Sequence, residues 1–333
     1  MNLFYRNFLL FFISLMAGVA IFIYIGNIIG WEAIINAFEI FTKKEGAIII
    51  LLSFLIVFIS AFRWREILRG QGEKNISLFN LFKTYLGGFS ITYLFPVIIL
   101  GSEAFRSYEL HKTQKVKWDR SVSSVIIERI LEWTVNLFVI VAGAFYFFYA
   151  ISAPSPDILL IFGIAFLIVL ALIVLVYIYI FKKKSFSKKI IGKFSRQISD
   201  NHVAVETEKE LFKYFNLKNK WLWYGYFLSF LRIAVIYLRV WFIVYFLGYI
   251  LSFMPAFSIL GFSFLSTIIP IPTTLGVQEL IQAFAFSGLG ISLGTSTAFT
   301  MILRSGDIVV SLIGLALVVK TGYQFFKAKV FTK

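Results

Sequence analysis

The most constraining feature of the sequence is an apolar stretch, Ser258–Phe286, that is interrupted near its middle. Pro270, Pro272 and Gly276 fall within it, and the carboxylate of Glu279 follows with no basic residue nearby in sequence. Two prolines remove backbone donors and block continuation of a helix, and freed backbone at membrane depth is tolerated only inside protein or beside water. Each arm holds about a dozen residues, which at ~1.5 Å per residue reach about halfway across a bilayer. The stretch therefore predicts a helical hairpin that enters the membrane and turns back.

A similar segment lies nearer the N-terminus, at residues 87–110. Pro96 precedes Glu103 by seven residues, as Pro272 precedes Glu279, and a glycine stands between proline and glutamate in both segments. A second hairpin is therefore predicted there. This spacing could also arise by chance. Whether the two segments are related is therefore judged from the predicted membrane topology.

Composition places the chain among polytopic membrane proteins. Hydrophobic residues make up 59% of it, and 40 residues are Phe. Several runs exceed the ~18 uncharged residues that are needed to span a bilayer. The first run, Phe8–Ile29, is too long for a signal-peptide core and is predicted to be a span. The chain has no cysteine, which excludes disulfides, thiol catalysis and thiolate metal sites, and no cofactor is expected.

Basic residues between the spans determine the predicted orientation. The net charge of +15 is compatible with nucleic-acid binding, but the basic residues lie in loops, as the positive-inside rule expects, and also suit an anionic lipid surface. Both termini and the basic loop 182–220 are predicted to be cytoplasmic. Residues 31–44 show the apolar spacing of an amphipathic helix at the interface. The six predicted spans are 8–29, 47–62, 122–150, 158–181, 221–251 and 293–319.

This topology orients the two hairpins oppositely. Basic residues flank the first hairpin, which is therefore predicted to enter from the cytoplasm, whereas uncharged loops flank the second, which is predicted to enter from outside. We predict one membrane domain, residues 1–333, with an all-α polytopic fold of about six spanning helices and two re-entrant helical hairpins. Residues 47–151 and 221–319 form an inverted-topology repeat in this prediction, an arrangement typical of transporters.

Two carboxylates, Glu103 and Glu279, are the main candidates for a functional site. An unpaired carboxylate at membrane depth is costly unless it is neutralised, paired or hydrated. In the functional interpretation they bind a cationic headgroup or carry a proton. In the structural alternative they form interhelical salt bridges with Arg232, Arg239 or Arg304.

Three further charged residues, Glu128, Arg129 and Glu132, lie in the first turns of the predicted third span. A guanidinium can hold a lipid phosphate through two hydrogen bonds, so Arg129 is the preferred substrate contact of the three. The alternative is structural pairing with Arg106 or Lys117 at the base of the first hairpin.

Four ionisable residues remain in the later spans. Arg304 and Asp307 lie one helical turn apart, so they either pair with each other or form a polar wall that faces the hairpin tips. Arg232 and Arg239 are expected to snorkel towards opposite interfaces, although Arg239, nearer the outer leaflet, is harder to explain in this way. No catalytic or metal-binding set is predicted. The predicted substrate-binding residues are Glu103, Arg106, Glu128, Arg129, Arg239, Pro270, Pro272, Gly276, Glu279, Arg304 and Asp307.

The motifs follow one another along nearly the whole chain. They are Pro96, Gly101-Ser102-Glu103, Arg106, Glu128-Arg129, Ile269-Pro270-Ile271-Pro272 and Leu275-Gly276-Val277-Gln278-Glu279. This set resembles the flippase-like, transmembrane part of lysylphosphatidylglycerol synthase. The family usually shows a Gly pair where Thr273-Thr274 stand, and adjacent Gly and Glu where Ser102 intervenes. Full-length synthases continue into a soluble aminoacyl transferase domain; since this chain stops at Lys333, the resemblance implies translocation rather than synthesis.

We therefore expect a lipid flippase or transporter of the cell membrane, not an enzyme. It would move an aminoacylated phospholipid or a prenyl-phosphate-linked lipid between leaflets. Its expected partners are membrane lipids and not nucleic acid, and the sequence leaves open whether the chain forms a homo-oligomer. The alternative is an integral membrane enzyme or accessory factor that acts on polyprenyl-phosphate sugars, because membrane carboxylates beside arginines also suit glycosyl transfer.

Overall fold

Apart from the single residues 27 and 32, the computed structural model describes residues 43–94, 100–151, 156–183, 203–268 and 276–330. Within these ranges the chain is helical and contains no strand, as the composition predicts. The predicted first span and nearly all of the predicted interfacial helix lie outside the described residues. The ten helices are α1 (Lys43–Gly70), α2 (Leu78–Leu94), α3 (Gly101–Gln114), α4 (Trp118–Ala150), α5 (Pro156–Lys182), α6 (Val203–Tyr214), α7 (Lys220–Phe246), α8 (Phe253–Ile268), α9 (Val277–Gly288) and α10 (Leu293–Val330).

Four of these helices, α1, α4, α7 and α10, are long and apolar enough to cross a membrane. The predicted fourth span, 158–181, corresponds to α5, a helix of 27 residues. The chain is therefore an all-helical, multi-pass membrane protein. The larger number of about six spans stays a prediction.

Two helices continue beyond their predicted ends. α1 runs through Arg63 and Trp64 to Gly70, beyond residue 62, where the predicted second span ends. Both side chains are fully buried, so the helix continues because its neighbours provide partners for them. α10 likewise runs on to Val330, because backbone hydrogen bonds do not require the apolar side chains by which a span is recognised.

The basic loop 182–220 contains one short described helix, α6, which packs against α4 and α5. The hydroxyl group of Tyr179 on α5 donates a hydrogen bond to Glu208 of α6. At the start of α4, Arg120 lies 2.7 Å from Glu73 and 3.7 Å from Glu210. These contacts fasten α6 to the same end of the bundle as the loop that follows α1.

Each predicted hairpin appears as two short helices that pack side by side, α2 with α3 and α8 with α9. In the second pair, Gln282 Nε2 donates to Ser263 Oγ at 2.6 Å and to the carbonyl of Ile259 at 3.3 Å. In the first pair, a Cβ on Gly88 would lie 2.7 Å from Arg106 Cδ, so the absence of a side chain permits this approach. In each segment one described helix ends and another begins, at Leu94 and Gly101 and at Ile268 and Val277. The tips around Pro96 and around residues 269–275 lie outside the described residues, so the re-entrant hairpins stay predictions.

The first and seventh helices, α1 and α7, pack antiparallel along the middle of the bundle. Arg63 Nη1 donates to Ser229 Oγ at 2.9 Å, and Arg239 Nη1 donates to Ser53 Oγ at 2.9 Å. The partners on α7 therefore come in the reverse order of those on α1, which shows that the two helices run in opposite directions. Apolar residues of both helices contribute to one core cluster around these bonds.

The contacts made among α1–α4 recur among α7–α10. In each set the first helix packs on the second, the second on the third, the third on the fourth and the first on the fourth. Between the sets, α4 packs on α8 as α10 packs on α2. Glycines allow both approaches: Gly143 lies against Gly261, and Gly314 lies against Leu86 and Ser90. The two sets of four helices therefore have the same internal packing, and each uses its fourth helix to contact the second helix of the other set.

Candidate functional site

A buried carboxylate, Glu128 of α4, is the centre of a first group of charged residues. Its side chain is 0% exposed. Arg63 of α1 donates to its Oε1, Arg106 of α3 donates to its Oε2 at 2.7 Å, and the Tyr85 hydroxyl of α2 donates to Oε1 at 3.0 Å. The Arg106 guanidinium also lies 4.5 Å from the ring centroid of Trp64 and 4.3 Å from that of Tyr85. Three helices therefore converge on one carboxylate of a fourth.

One turn further along α4, Glu132 extends this group. Its Oε1 lies 3.0 Å from Arg232 Nη2 of α7, and its Oε2 lies 3.5 Å from Arg129 Nη1. Arg129 Nε also donates to Glu103 Oε1 of α3 at 2.6 Å. The resulting Glu128 cluster consists of Arg63, Tyr85, Glu103, Arg106, Glu128, Arg129, Glu132 and Arg232.

A second group of charged residues joins α1, α7, α9 and α10. Arg239 Nη1 donates to Asp307 Oδ1 at 2.6 Å as well as to Ser53. Arg304 Nη2 lies 3.2 Å from Glu279 Oε1. The resulting Asp307 cluster consists of Ser53, Tyr93, Arg239, Glu279, Arg304 and Asp307, with Tyr93 donating to the Arg304 carbonyl at 3.4 Å.

The start of α9 is shaped by Glu279 of this Asp307 cluster. Gly276 has a φ of 82°, a left-handed conformation that glycine adopts without steric cost. Its backbone N–H donates to Glu279 Oε2 at 2.7 Å. A carboxylate in the first turn also interacts favourably with the helix dipole. Glu279 therefore anchors the end of the hairpin tip while it binds Arg304 of the last long helix.

Three pairs of equivalent residues, in or beside the two clusters, are separated by 176 positions in the sequence: Ser53 and Ser229, Arg63 and Arg239, and Glu103 and Glu279. Each of these glutamates binds an arginine of the long helix that follows its hairpin. The arginine lies 26 residues later for Glu103 and 25 residues later for Glu279. Along α1 the clusters are ten residues apart, from Ser53 to Arg63, which corresponds to ~15 Å of helix.

The structure divides the predicted substrate-binding residues between the two clusters. Those in the Glu128 cluster are Glu103, Arg106, Glu128 and Arg129. Those in or beside the Asp307 cluster are Arg239, Gly276, Glu279, Arg304 and Asp307. The other two, Pro270 and Pro272, lie outside the described residues. The structural alternatives that paired Glu128 with Arg106, and Glu279 with Arg304, are confirmed as contacts.

For Arg304 and Asp307 the structure excludes pairing with each other, which was one of the two alternatives that the sequence left open. For Arg232 and Arg239 the snorkelling prediction is wrong. Asp307 binds Arg239 rather than Arg304, which lies one turn away on its own helix and binds Glu279. Arg232 and Arg239 do not snorkel, because each is drawn into an interhelical ion pair with a side-chain exposure of 14% and 9%, respectively. Pairing between helices is favoured over snorkelling because a buried guanidinium group needs an opposite charge close by.

Four members of the Glu128 cluster were not among the predicted substrate-binding residues. Glu132 and Arg232 had been considered for structural ion pairs, whereas Arg63 and Tyr85 had not been considered at all. Arg63 stands in a basic and aromatic segment that resembles a membrane boundary. Its separation of 176 residues from Arg239 is the signal that could have identified it. Tyr85 carries no comparable signal in a chain with 16 tyrosines and 40 phenylalanines.

Comparisons with known proteins agree with the resemblance in the motifs. The UPF0104 membrane protein MJ1595 of Methanocaldococcus jannaschii is 27% identical to this chain over 313 residues, which cover 90% of each protein. No solved structure matches the chain. The family model described as the lysylphosphatidylglycerol synthase TM region matches residues 11–314, a range that includes both charged clusters. The chain therefore belongs to the family of the lysylphosphatidylglycerol synthase transmembrane region.

Proposed function

We propose that the protein is a lipid flippase or transporter of the cell membrane, with both termini in the cytoplasm. The polar headgroup passes between the two hairpins while the acyl or prenyl tails remain in the bilayer. The observation that carries this proposal is the pair of matched ion pairs, Glu103 with Arg129 and Glu279 with Arg304, each between a hairpin and a long helix. Ionisable residues inside membrane segments are costly and usually mark a substrate or ion pathway.

The recurring helix contacts support an inverted-topology repeat of α1–α4 and α7–α10. The antiparallel packing of α1 on α7 and the common separation of 176 residues support the same arrangement. In transporters, inverted repeats with broken helices form a substrate site near the midplane, and one repeat rocks against the other. The hairpins α2–α3 and α8–α9 correspond to the broken helices in this proposal.

The two ion pairs differ in their exposure, which suits alternating access. In the first pair, Arg129 is 30% and Glu103 is 22% exposed; in the second, Arg304 is 14% and Glu279 is 1% exposed. A lipid headgroup that binds Arg129 or Glu103 in place of the other residue would weaken this ion pair. The hairpin α2–α3 would then be freer to move. We propose that the two pairs exchange these environments during transport.

Neutralising both hairpin carboxylates tests the function. In proteoliposomes with a fluorescent phospholipid, the double variant Glu103→Gln, Glu279→Gln is expected to slow leaflet exchange about tenfold or more, because loss of ~1.4 kcal/mol of stabilisation changes a rate tenfold. Glu206→Gln, on an exposed pair with Lys209, is the matched control and should exchange lipid normally.

Two results of this experiment would contradict the proposal. One is unchanged leaflet exchange in a double variant that still unfolds cooperatively. The other is a new labelled compound after incubation of the wild-type protein with a polyprenyl-phosphate sugar, which would favour the membrane enzyme instead.

The opposed entry of the hairpins can be tested with single cysteines, because the chain has none of its own. Ser77 and Ser252 are exposed, and their carbonyls accept the first backbone bond of α2 and α8, respectively. A membrane-impermeant maleimide added to intact cells is expected to label Ser252→Cys and not Ser77→Cys. Lysis should expose Ser77→Cys as well. Labelling of both cysteines, or of neither, in intact cells would contradict the inverted topology.

A further inference from the structure

The Glu128 cluster contains more arginines than carboxylates. Its three carboxylates belong to Glu103, Glu128 and Glu132, and four guanidinium groups bind them. These guanidinium groups belong to Arg63, Arg106, Arg129 and Arg232. With every group charged, the cluster carries one positive charge in excess.

The carboxylates of this cluster are already shared between arginines. Arg63 and Arg106 bind opposite oxygens of Glu128. Glu132 faces three guanidinium groups, with Arg232 at 3.0 Å, Arg63 at 3.4 Å and Arg129 at 3.5 Å. Among the described residues, the buried Nε donors of Arg63, Arg106 and Arg232 have no hydrogen-bond partner. The cluster therefore has N–H donors without an acceptor as well as an excess positive charge.

Within the part of the chain that the structure describes, the neighbouring carboxylate on α1 does not cancel the excess. The next carboxylate along α1, Glu66, is held by two arginines of its own, Arg65 at 3.1 Å and Arg69 at 2.9 Å. The Asp307 cluster, by contrast, is balanced, because Arg239 and Arg304 face Asp307 and Glu279. The excess positive charge is thus a property of one cluster and not of both.

We propose that the Glu128 cluster is an anion site that binds the phosphate of an anionic lipid headgroup through Arg129 and Arg232. These two guanidinium groups flank Glu132 and are 30% and 14% exposed, whereas Arg63 and Arg106 are at most 2% exposed. Guanidinium groups bind phosphate through paired, charge-assisted hydrogen bonds.

A phosphate that carries one negative charge would balance the cluster, and an uncompensated charge in apolar surroundings is unfavourable. A zwitterionic headgroup brings the same phosphate together with a cationic group, which the arginines repel, so the site favours a headgroup with net negative charge over a zwitterionic or cationic one. The assignment of this phosphate to a lipid rests on the proposed function. The binding of a phosphate by these arginines does not depend on that proposal.

Binding of lipids by the purified full-length protein in detergent tests this inference. Short-chain phosphatidylglycerol is expected to bind at least about tenfold more tightly than short-chain phosphatidylcholine, a ratio that corresponds to one favourable charged contact. Inorganic phosphate distinguishes the source of the anion. Weak competition by it indicates a lipid headgroup, and affinity equal to that of phosphatidylglycerol would overturn the assignment to a lipid.

Two variants that change the charge of the cluster in opposite directions separate anion binding from a purely structural role. Arg232→Gln removes the excess and is expected to weaken phosphatidylglycerol binding about tenfold, whereas Glu132→Gln doubles the excess and should strengthen it several-fold. Arg129→Gln provides a second test if Arg232→Gln fails to fold. Lys209→Gln, at an exposed pair away from the cluster, should bind like the wild type.

Changes of the same sign in Arg232→Gln and Glu132→Gln, or equal affinity for both phospholipids, would overturn the inference. The result is independent of transport activity. Selective binding of phosphatidylglycerol without leaflet exchange would support the anion site and contradict the proposed function. Leaflet exchange without selective binding would support the proposed function and contradict the anion site.

Discussion

Replacement of Glu128 by glutamine is expected to lower the free energy of unfolding by about 3–5 kcal/mol, the usual cost of removing one partner from a buried ion pair. The carboxylate is fully buried and binds Arg63 and Arg106, which are also buried. The variant would leave these two guanidinium groups without the carboxylate that both of them bind. The Tyr85 hydroxyl would also lose its charged acceptor.

Unfolding by sodium dodecyl sulfate in mixed micelles, followed by circular dichroism or tryptophan fluorescence, measures this change. The matched control is Glu206→Gln, which breaks an exposed Glu–Lys pair on α6 and should change stability by less than about 1 kcal/mol. If both glutamine variants unfolded at the same detergent fraction, Glu128 would not be the centre that joins α1, α3 and α4.

Replacement of Gly314 by leucine is expected to separate α10 from α2 and to cost about 3 kcal/mol or more, at the upper end of the range for overpacked cores. A Cβ at this position would lie 2.7 Å from the carbonyl carbon of Leu86 and would also collide with its oxygen and with Ser90 Oγ. Because backbone atoms form this wall, a rotamer change cannot relieve the overlap. Even Gly314→Ala should destabilise the protein measurably.

The matched control for this substitution is Gly163→Leu on α5. Among the described residues, no heavy atom lies within 4 Å of a Cβ built at Gly163. Thermal unfolding in detergent micelles should therefore show a large loss of stability for Gly314→Leu and little change for Gly163→Leu. Equal unfolding temperatures for the two leucine variants would mean that α2 and α10 do not approach each other as closely as described.

Local properties of the sequence were sufficient to predict the class of the protein and its broken helices. Long uncharged runs predicted a helical membrane protein, since a bilayer requires every backbone group to be paired internally. The prolines predicted that both segments are interrupted, because proline lacks an N–H donor, and described helices end or begin on either side of them, with α2 ending at Leu94, α8 at Ile268 and α9 beginning at Val277. These are properties of a few consecutive residues, so they can be read without knowing the neighbours.

The repeat was only partly visible in the sequence. The equal spacing of proline and glutamate, which relates Glu103 to Glu279, is recognisable in the sequence. The matching pair Arg63 and Arg239 was not recognised, because the first resembles a basic membrane boundary and the second lies inside an apolar run. Their equivalence lies in the packing of α1 on α7, where each arginine donates a hydrogen bond to a serine of the other's helix.

The sequence by itself determined that carboxylates and arginines lie among membrane helices, but only the tertiary structure decided how they pair. Glu128 receives its three partners from 65, 43 and 22 residues away. Asp307 binds an arginine 68 residues away although another lies one turn from it. Spacing along one helix describes neighbours on that helix alone, whereas the strongest partner of a buried charge is the opposite charge that packing brings nearest. For this reason the types of residue in the candidate site were predictable and the excess positive charge of the Glu128 cluster was not.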